Sequence, residues 1–158
     1  MITPMAQPPT SIREMNHDDL SMVSDIERRS YEFPWSHGVF RDCLLAGYKC
    51  LVLIREGRVA GYAILSVAAG EAHILNLCVD PEFRALGYGE GMLDELLYRA
   101  RAASVGEIFL EVRPSNAAAI KLYRKKGFHL VAARPAYYQA NEGREDAAIY
   151  ARKLIVKT

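Results

Sequence analysis

A carboxylate and a phenol stand in two segments of the sequence that are otherwise typical of buried structure. Glu111 interrupts the apolar run IFLEV, and Tyr123 lies in SNAAAIKLYRKKGF, three residues after Ile120 and four after Ala119. Burial raises the pKa of a carboxylate, which suits it to accept a proton near neutral pH. A phenol on the buried side of the following helix is suited to donate one. The pair therefore predicts general acid-base chemistry.

Both residues also have a structural interpretation. Glu111 fits an ion pair, with Arg113 or Arg84 as its partner, or an exposed position on a partly open sheet. Tyr123 fits a core aromatic ring whose hydroxyl reaches the edge of the core. From these residues alone, both interpretations stay open.

The segment RALGYGEG at positions 84–91 predicts a binding site for an anion. Its pattern R-x-x-G-x-G, formed by Arg84, Gly87 and Gly89, leads into a predicted helix. Glycine allows positive φ and a close approach to the main chain, and free N–H groups at a helix N-terminus attract negative charge. The segment lacks the Walker ending, and Met92 stands where a dinucleotide fingerprint needs its third glycine. A tight turn between a strand and a helix is the alternative.

The elements that position these residues follow from hydrophobic periodicity. Apolar residues at helical spacing predict helices at about 18–29, 36–47, 89–103 and 115–127. Strand patterns are found near 12–15, 49–55, 59–68, 72–79, 107–112, 128–138 and 145–155. The strand and helix order in the middle of the chain predicts one parallel pairing. We therefore predict a single α/β (α+β) domain in which helices flank a mixed, mostly antiparallel central sheet.

Helix ends and buried faces can be predicted in more detail. Ser36 and Ser115 are suitable N-caps, and Gly47 and Gly127 are suitable C-terminal stops. The first helix is expected to bury four apolar side chains, those of Leu20, Met22, Val23 and Ile26.

The composition fits one ordinary domain. A chain of 158 residues with a formal net charge of +1 is long enough to bury a core and shows no basic surface for nucleic acid. We predict a flexible leader at 1–10, without the features of a secretion signal, and a domain at 11–158. No apolar stretch reaches transmembrane length. Cys43, Cys50 and Cys78 are expected to be reduced, buried thiols of a cytoplasmic protein.

Two long motifs resemble the acetyl-CoA-binding core of the Gcn5-related N-acetyltransferase (GNAT) superfamily. They are LNLCVDPEFRALGYGEGMLDELL and IFLEVRPSNAAAIKLYRKKGF. FPWS, LEVRPSNAAAIKLY and GREDAAIYARKL narrow the resemblance to the RimI-type enzymes, which acetylate the N-terminal alanine of a small-subunit ribosomal protein in bacteria. The similarity extends from about Ser11 to Leu154. It implies an acetyl-CoA co-substrate and a ribosomal-protein N-terminal peptide as partner, with no metal, nucleic acid or membrane.

The resemblance also implies a role for individual residues. Glu111 matches the proton acceptor of the family and Tyr123 the proton donor. The cofactor contacts would be Leu77, Cys78, Val79, Arg84, Ala85, Leu86, Gly87, Tyr88, Gly89, Glu90 and Asn116. The acceptor groove would be lined by Trp35, Tyr137 and Tyr138, with Tyr31 as a further aromatic residue and Glu32, Glu142, Glu145 and Asp146 to attract a basic peptide. Each of these aromatic and acidic residues also fits an ordinary core or surface position.

Glu90 departs from the pattern of close relatives, which often carry a non-acidic residue there. A carboxylate in the first helical turn suits the helix dipole but repels a diphosphate. Either its side chain points away while its N–H binds, or the affinity for the cofactor is weakened. Acetylation of another amine, such as a lysine side chain or a small molecule, remains an alternative function. A non-catalytic acetyl-CoA sensor is another, although a sensor would need neither Glu111 nor Tyr123.

Overall fold

The computed structural model describes residues 9–140 and 143–154. The strands are β1 (Thr10–Glu14), β2 (Lys49–Arg55), β3 (Arg58–Ala68), β4 (Glu71–Val79), β5 (Glu107–Val112), β6 (His129–Ala140) and β7 (Gly143–Lys153). The helices are α1 (Leu20–Ser30), α2 (His37–Leu45), α3 (Tyr88–Ala102) and α4 (Ala117–Lys125). Short 3₁₀ turns lie at His17–Asp19 and Pro81–Phe83. The predicted helices and strands are present, with small shifts at their ends.

A single sheet contains these strands in the order β1-β2-β3-β4-β5-β7-β6. Neighbouring strands pair antiparallel except β4 and β5, which are parallel. The segment containing α3 supplies the crossover that a parallel pair requires. The predicted mixed, mostly antiparallel sheet is therefore confirmed.

Side chains alternate along the central strands between two cores. In β2, Leu51 and Leu53 pack in the core that includes α3 and α4, whereas Cys50 and Val52 pack in the core that includes α1 and α2. Both faces of the central strands are covered, which explains their continuous apolar runs. Among the described residues, the core of α1 and α2 reaches β4 but receives no side chain from β5, β6 or β7. This uncovered part of the sheet forms the floor of the site.

The buried side of α1 differs from the prediction. Val23 and Ile26 are fully buried as expected, but Met22 is 38% exposed. Ser24 and Glu27 are buried on this helix. Glu27 lies one turn after Val23 and therefore shares its face, whereas Met22 falls at the edge of the buried stripe.

One of the two predicted N-caps is wrong. The side chain of Ser36 caps α2 as expected. The cap of α4 is Asn116, whose side chain accepts a hydrogen bond from the N–H of Ala119 at 3.2 Å. Ser115 instead donates its N–H and its hydroxyl to Glu145, at 3.1 and 2.9 Å. This contact with β7 takes Ser115 away from the capping position.

The predicted helix stops are confirmed, and the ends of the chain are only partly described. Gly47 and Gly127 have φ of +78° and +89°, a conformation that glycine adopts without strain. Positions 1–8 of the predicted leader lie outside the described residues, as do 141–142 and 155–158, and β1 already begins at Thr10. The three cysteines are free and buried, as predicted. No helix in the described ranges is long and apolar enough to span a membrane.

Candidate active site

The parallel strands β4 and β5 separate before either strand ends. Their ladder stops at Ile74 and Leu110, although β4 continues to Val79 and β5 to Val112. A bulge lies at the same place, because Leu75 has no partner in β3. Beyond Ile74, the edge of β4 that faces β5 is free of strand pairing in the described chain. A gap of this kind offers main-chain groups to an extended ligand.

The loop between β4 and α3 ends at an open helix N-terminus. Ala85 and Gly87 have φ of +63° and +86°, and Gly87 is the N-cap of the 15-residue helix α3. The N–H groups of Gly89 and Glu90 lie in the first turn of the helix, where no preceding helical carbonyl can accept from them. Free N–H groups and the helix dipole together favour a negatively charged ligand. The geometry therefore fits the predicted anion site.

Of the three glycines at the start of α3, only Gly87 has a backbone conformation that favours glycine. Gly87 has positive φ, whereas a Cβ at Gly89 would make only ordinary contacts and one at Gly91 would meet nothing within 4 Å. The tightest glycine lies in β3, where a Cβ at Gly61 would stand 2.8 Å from the carbonyl oxygen of Cys78. The regular spacing of glycines in the sequence thus overstates their conformational importance.

The carboxylate of Glu90 is bound by the last turn of α4 and the residue after it. One of its oxygens lies 3.0 Å from the Nζ atoms of both Lys125 and Lys126. Hydrogen bonds from Lys126 and Lys125 hold the pKa of Glu90 below its usual range. Of the two alternatives for Glu90, the structure favours the first: the side chain is engaged elsewhere, and its N–H remains in the first turn of α3.

Two arginines stabilise the loop between β4 and α3 by hydrogen bonds. The Nε of Arg84 donates to the carbonyl oxygen of Val79 at 3.1 Å. Arg29 of α1 donates two hydrogen bonds of 2.9 Å to the carboxylate of Asp80, which is 3% exposed. The Arg29 guanidinium holds the pKa of Asp80 below its usual range. The predicted cofactor residues at 77–79 and 84–90 lie in one continuous segment, from the end of β4 to the start of α3, whereas Asn116 lies exposed at the start of α4.

Glu111 lies on the uncovered face of the sheet. Its side chain is 29% exposed, and its Oε1 lies 3.2 Å from the Nη2 of Arg134. Neither predicted partner is correct, because Arg113 pairs with Glu145 and Arg84 contacts the main chain. Glu111 is therefore less buried than the apolar run suggested, and its cation comes from β6.

Tyr123 is buried on the opposite side of the sheet. It is 9% exposed and packs edge-on against Phe128, with 5.8 Å between ring centroids. Burial, and to a smaller extent the neighbouring Cys78, raise its pKa to about 12. The phenol therefore carries its proton at neutral pH, as a proton donor must. Cys78 is buried, and its Sγ contacts the hydroxyl of Ser30 at 3.3 Å.

A groove of about 1120 Å³ opens above β4 and β5. The loop between α1 and α2 contributes Trp35, and β6 contributes Tyr137 and Tyr138. Glu111 lines the same groove. The structure thus brings the predicted proton acceptor together with the predicted acceptor-binding residues. Tyr123 does not line this groove.

The hairpin of β6 and β7 is held by arginines and carboxylates. Arg113 lies 4.5 Å above the ring of Tyr138 and pairs with Glu145 at 3.3 Å. Arg134 lies 4.9 Å above the ring of Tyr137. Burial and a hydrogen bond to Glu111 raise the pKa of Tyr137. The aromatic wall of the groove therefore depends on partly exposed charges.

β6 contains a bulge beside Arg134 and Tyr137, two side chains of this strand that contact Glu111. The pairing with β7 shifts between Arg134 and Tyr138, and Ala136 has φ of +50°. The N–H of Ala136 donates to Asp146 at 2.8 Å. Asp146 and Glu145, predicted to attract a basic peptide, are therefore already engaged, Asp146 within the hairpin and Glu145 by Arg113 and Ser115. Glu142 lies outside the described residues.

Two charged residues of the site, Arg134 and Glu27, are not among the residues predicted from the sequence. Arg134 provides the cation for Glu111. Glu27 is 3% exposed and accepts hydrogen bonds from Trp35, Tyr62 and Asn76. A charge on the apolar stripe of a helix is the same kind of signal that distinguished Glu111, so periodicity was sufficient to find it. Within residues 9–140 and 143–154, no three His, Cys, Asp or Glu residues form a group that could hold a metal ion.

Comparison with known proteins gives consistent matches. The sequence model of the acetyltransferase (GNAT) family matches residues 20–128. The ribosomal protein bS18-alanine N-acetyltransferase of Escherichia coli (strain K12) is 38% identical over 141 residues, which cover 89% of this chain and 95% of that protein. The crystal structure of the ribosomal-protein-S18-alanine N-acetyltransferase from Escherichia coli has a TM-score of 0.89 at 35% identity, covering 95% of this chain and 97% of the other. A phosphinothricin acetyltransferase from Sinorhizobium meliloti, solved in complex with AcCoA, has a TM-score of 0.78 at 25% identity and covers 92% and 88%.

Proposed function

The chain belongs to the acetyltransferase (GNAT) family and is an acetyl-CoA-dependent N-acetyltransferase, and from this premise we propose its acceptor. The acceptor is the α-amine of an N-terminal alanine on a small-subunit ribosomal protein. The identity of 38% to an enzyme of that name over 89% of the chain supports this assignment. A ribosomal-protein substrate also implies a cytoplasmic enzyme.

The observation that carries the proposal is the composition of the groove. Glu111 shares it with Trp35, Tyr137 and Tyr138, at the place where β4 and β5 separate. A groove open along the sheet admits an extended chain end. Its aromatic walls suit a short peptide with apolar or aromatic side chains near its N-terminus.

Acetyl-CoA fits the other side of the gap. The free edge of β4 at Leu77, Cys78 and Val79 would hold its pantetheine arm, and the N–H groups at 86–90 would hold its pyrophosphate. The contact of Asn116 is assigned by resemblance. When bound, acetyl-CoA supplies an acetyl group activated as a thioester.

Glu111 and Tyr123 handle the two protons of the reaction. An α-amine has a pKa of about 7.7–8.0, so a substantial fraction is protonated and not nucleophilic at neutral pH. Glu111, directly or through a water, accepts that proton, and the free amine forms the new C–N bond. A main-chain N–H near Val79 stabilises the negative charge that develops on the carbonyl oxygen. Tyr123 donates its proton to the sulfur that leaves as the C–S bond breaks. The nitrogen loses its second proton as the amide forms, and this proton restores the phenol of Tyr123, while Glu111 releases the first proton to solvent.

Arg134 contacts the carboxylate of Glu111, the proposed proton acceptor. The guanidinium of Arg134 lies 3.2 Å from the Oε1 of Glu111. The same cation competes with a protonated amine for the carboxylate. Arg134 therefore has to yield part of its contact when the acceptor binds.

The test measures release of coenzyme A with acetyl-CoA and a short basic peptide that begins with alanine. The matched control peptide carries the same sequence with its N-terminus already acetylated. We expect turnover with the free peptide alone. In Glu111→Gln, we expect kcat near pH 7 to fall by about 100-fold or more, the usual contribution of a general base.

Two results would contradict the proposal in different ways. Tight acetyl-CoA binding without turnover of the peptide would direct the search to lysine side chains, small amines or a sensor. Acetylation of a lysine side chain in the blocked peptide would preserve the chemistry but reject the α-amine.

A further inference from the structure

Glu27 lies in the last turn of α1 and is one of the most buried charged residues of the described chain. Its Oε2 accepts a hydrogen bond from the N–H of Trp35 at 2.9 Å. Its Oε1 accepts bonds from the hydroxyl of Tyr62 at 2.6 Å and the amide of Asn76 at 3.0 Å. All three donors are neutral groups.

The three donors belong to three parts of the site. Trp35 lies in the loop that forms one wall of the groove. Tyr62 lies in β3, and burial together with nearby Cys78 and Glu27 raises its pKa, so it remains a donor. Asn76 lies in β4, beyond the point where the ladder to β5 ends. One carboxylate therefore connects the acceptor wall with the strand assigned to the cofactor.

We propose that Glu27 is a positioning residue that holds the acceptor loop in register with the cofactor strand. The inference rests on the proposed transfer of acetyl to a peptide. A buried carboxylate is costly unless every oxygen is satisfied, and an aliphatic side chain would fill its place in the core more simply. The carboxylate is the group that can receive donors from three elements at once.

In the hydrogen bond between the loop and Glu27, the donor is the main-chain N–H of Trp35. A substitution can therefore remove only the acceptor, which is Glu27. The ring of Trp35 packs on Phe40 with 5.3 Å between centroids, and Phe40 packs edge-on against Tyr62 at 5.4 Å. This aromatic row fills space but accepts no hydrogen bond from the loop. Without Glu27, the loop would keep its apolar contacts but lose the hydrogen bond that fixes its position relative to β4.

The sequence offers a direct probe, because Trp35 is the only tryptophan of the chain. Glu27→Met keeps an unbranched side chain of similar length but accepts none of these bonds. We expect stronger quenching of Trp35 fluorescence by acrylamide. We also expect the KM of the alanine peptide to rise about tenfold, the scale of a lost hydrogen bond to a charged group, while kcat and acetyl-CoA affinity change little.

Glu27→Gln provides the conservative rescue. Its carbonyl can still accept from Trp35, because the hydroxyl of Tyr62 can rotate and the amide of Asn76 can turn over. We therefore expect quenching and peptide KM close to those of the wild type. If Glu27→Gln raises acrylamide quenching and peptide KM as much as Glu27→Met does, the proposed hydrogen-bonding role is wrong.

Asp19→Asn is the matched structural control. Asp19 is a second buried carboxylate, at the N-terminal end of α1, and is bound by Arg13 at 2.7 and 2.8 Å. Its replacement should lower the melting temperature without changing Trp35 quenching or peptide KM. If Glu27→Met also lowers the melting temperature without changing Trp35 quenching or peptide KM, the proposal is wrong.

A milder variant covers the case in which Glu27→Met does not fold. Asn76→Ala removes only the link to β4, and we expect the peptide KM to rise about threefold. An unchanged KM would overturn the coupling between loop and strand. The fluorescence comparison needs no turnover, so it decides the role of Glu27 even if the wild type fails to acetylate the alanine peptide, which would reject the proposed function alone.

Discussion

The two walls of the groove are held by different kinds of interaction. On the α1 side, Glu27 is 3% exposed and satisfied by neutral donors. On the hairpin side, Arg134 and Arg113 pair with carboxylates and cover aromatic rings while their side chains remain 52% and 32% exposed. The first wall is a continuation of the core, and the second is a network at the surface.

This difference predicts which parts of the site are rigid. Buried hydrogen bonds are little affected by salt, whereas exposed ion pairs are screened and contribute about 0–1 kcal/mol each. Tyr123, the proposed proton donor, is buried in a core, whereas Glu111, the proposed proton acceptor, pairs with the exposed Arg134. We therefore expect the hairpin to adapt to the acceptor while the α1 side and Tyr123 keep their geometry.

The largest expected effect comes from the buried side. Tyr123→Phe removes only a hydroxyl and keeps the ring in the core, so folding should be preserved while kcat falls by about 100-fold or more. The measurement is coenzyme A release at saturating peptide, at low and high salt. Tyr150→Phe, another buried tyrosine of the same core, is the control and should retain kcat. A similar loss in both variants would remove Tyr123 from its proposed role.

Breaking the contact between Asp80 and Arg29 should have the next largest effect. Asp80→Asn is expected to lower the free energy of unfolding by about 1–2 kcal/mol, because a buried carboxylate loses two charge-assisted bonds. Urea denaturation measures it. Glu145→Gln, on the hairpin side, should destabilise the protein less. Equal losses would mean that the two walls are not held differently.

The buried ion pairs of Asp19 and Asp80 predict how the stability of the protein depends on pH. Arg13 and Arg29 hold the pKa values of Asp19 and Asp80 below their usual range. The folded protein therefore binds these protons less readily than the unfolded chain, so the stabilisation is complete above the unfolded pKa of about 3.9 and disappears as pH falls through the lower folded values. We expect the melting temperature to fall below about pH 4. The double variant Asp19→Asn, Asp80→Asn should show a shallower decline.

A smaller effect is expected from the exposed wall. Arg113→Met keeps the length of the side chain but loses the ion pair with Glu145 and the charge over Tyr138. The peptide KM should rise about fivefold at low salt, consistent with one exposed cation–π contact and one surface ion pair. The difference from the wild type should shrink at high salt. A difference that persists at high salt would mean that this wall, like the α1 side, is held by interactions that salt does not screen.

The smallest effect is expected at Glu90. Its charge is already matched by Lys125 and Lys126, so Glu90→Gln should change the dissociation constant of acetyl-CoA by no more than about twofold. Calorimetric titration measures this constant, and Asp94→Asn, which also removes a partner of Lys126, is the control. Binding that tightens tenfold or more would show that the Glu90 charge reaches the phosphates.

Periodicity was sufficient for the helices and strands, because that signal is local, and it singled out Glu111 and Tyr123, whose proposed roles came from the family resemblance. The failures involve partners that are distant in the chain. The cation of Glu111 comes from another strand, and Glu27 meets Asn76 across 49 positions. Ser115 and Asn116 show the same limit, since both can cap a helix and the choice depends on Glu145 of β7. Distances of this kind are decided by topology rather than by local pattern.

The strand order has a consequence for the synthesis of the chain. β7 follows β6 in sequence but lies between β5 and β6 in the sheet, so β5 obtains its second neighbour only from residues 143–153. A nascent chain that ends before these residues leaves the strand of Glu111 as an open edge, able to pair with other chains. The strand that carries the proposed proton acceptor therefore obtains its second neighbour late, and truncation within β7 should yield an aggregation-prone protein rather than a partly active one.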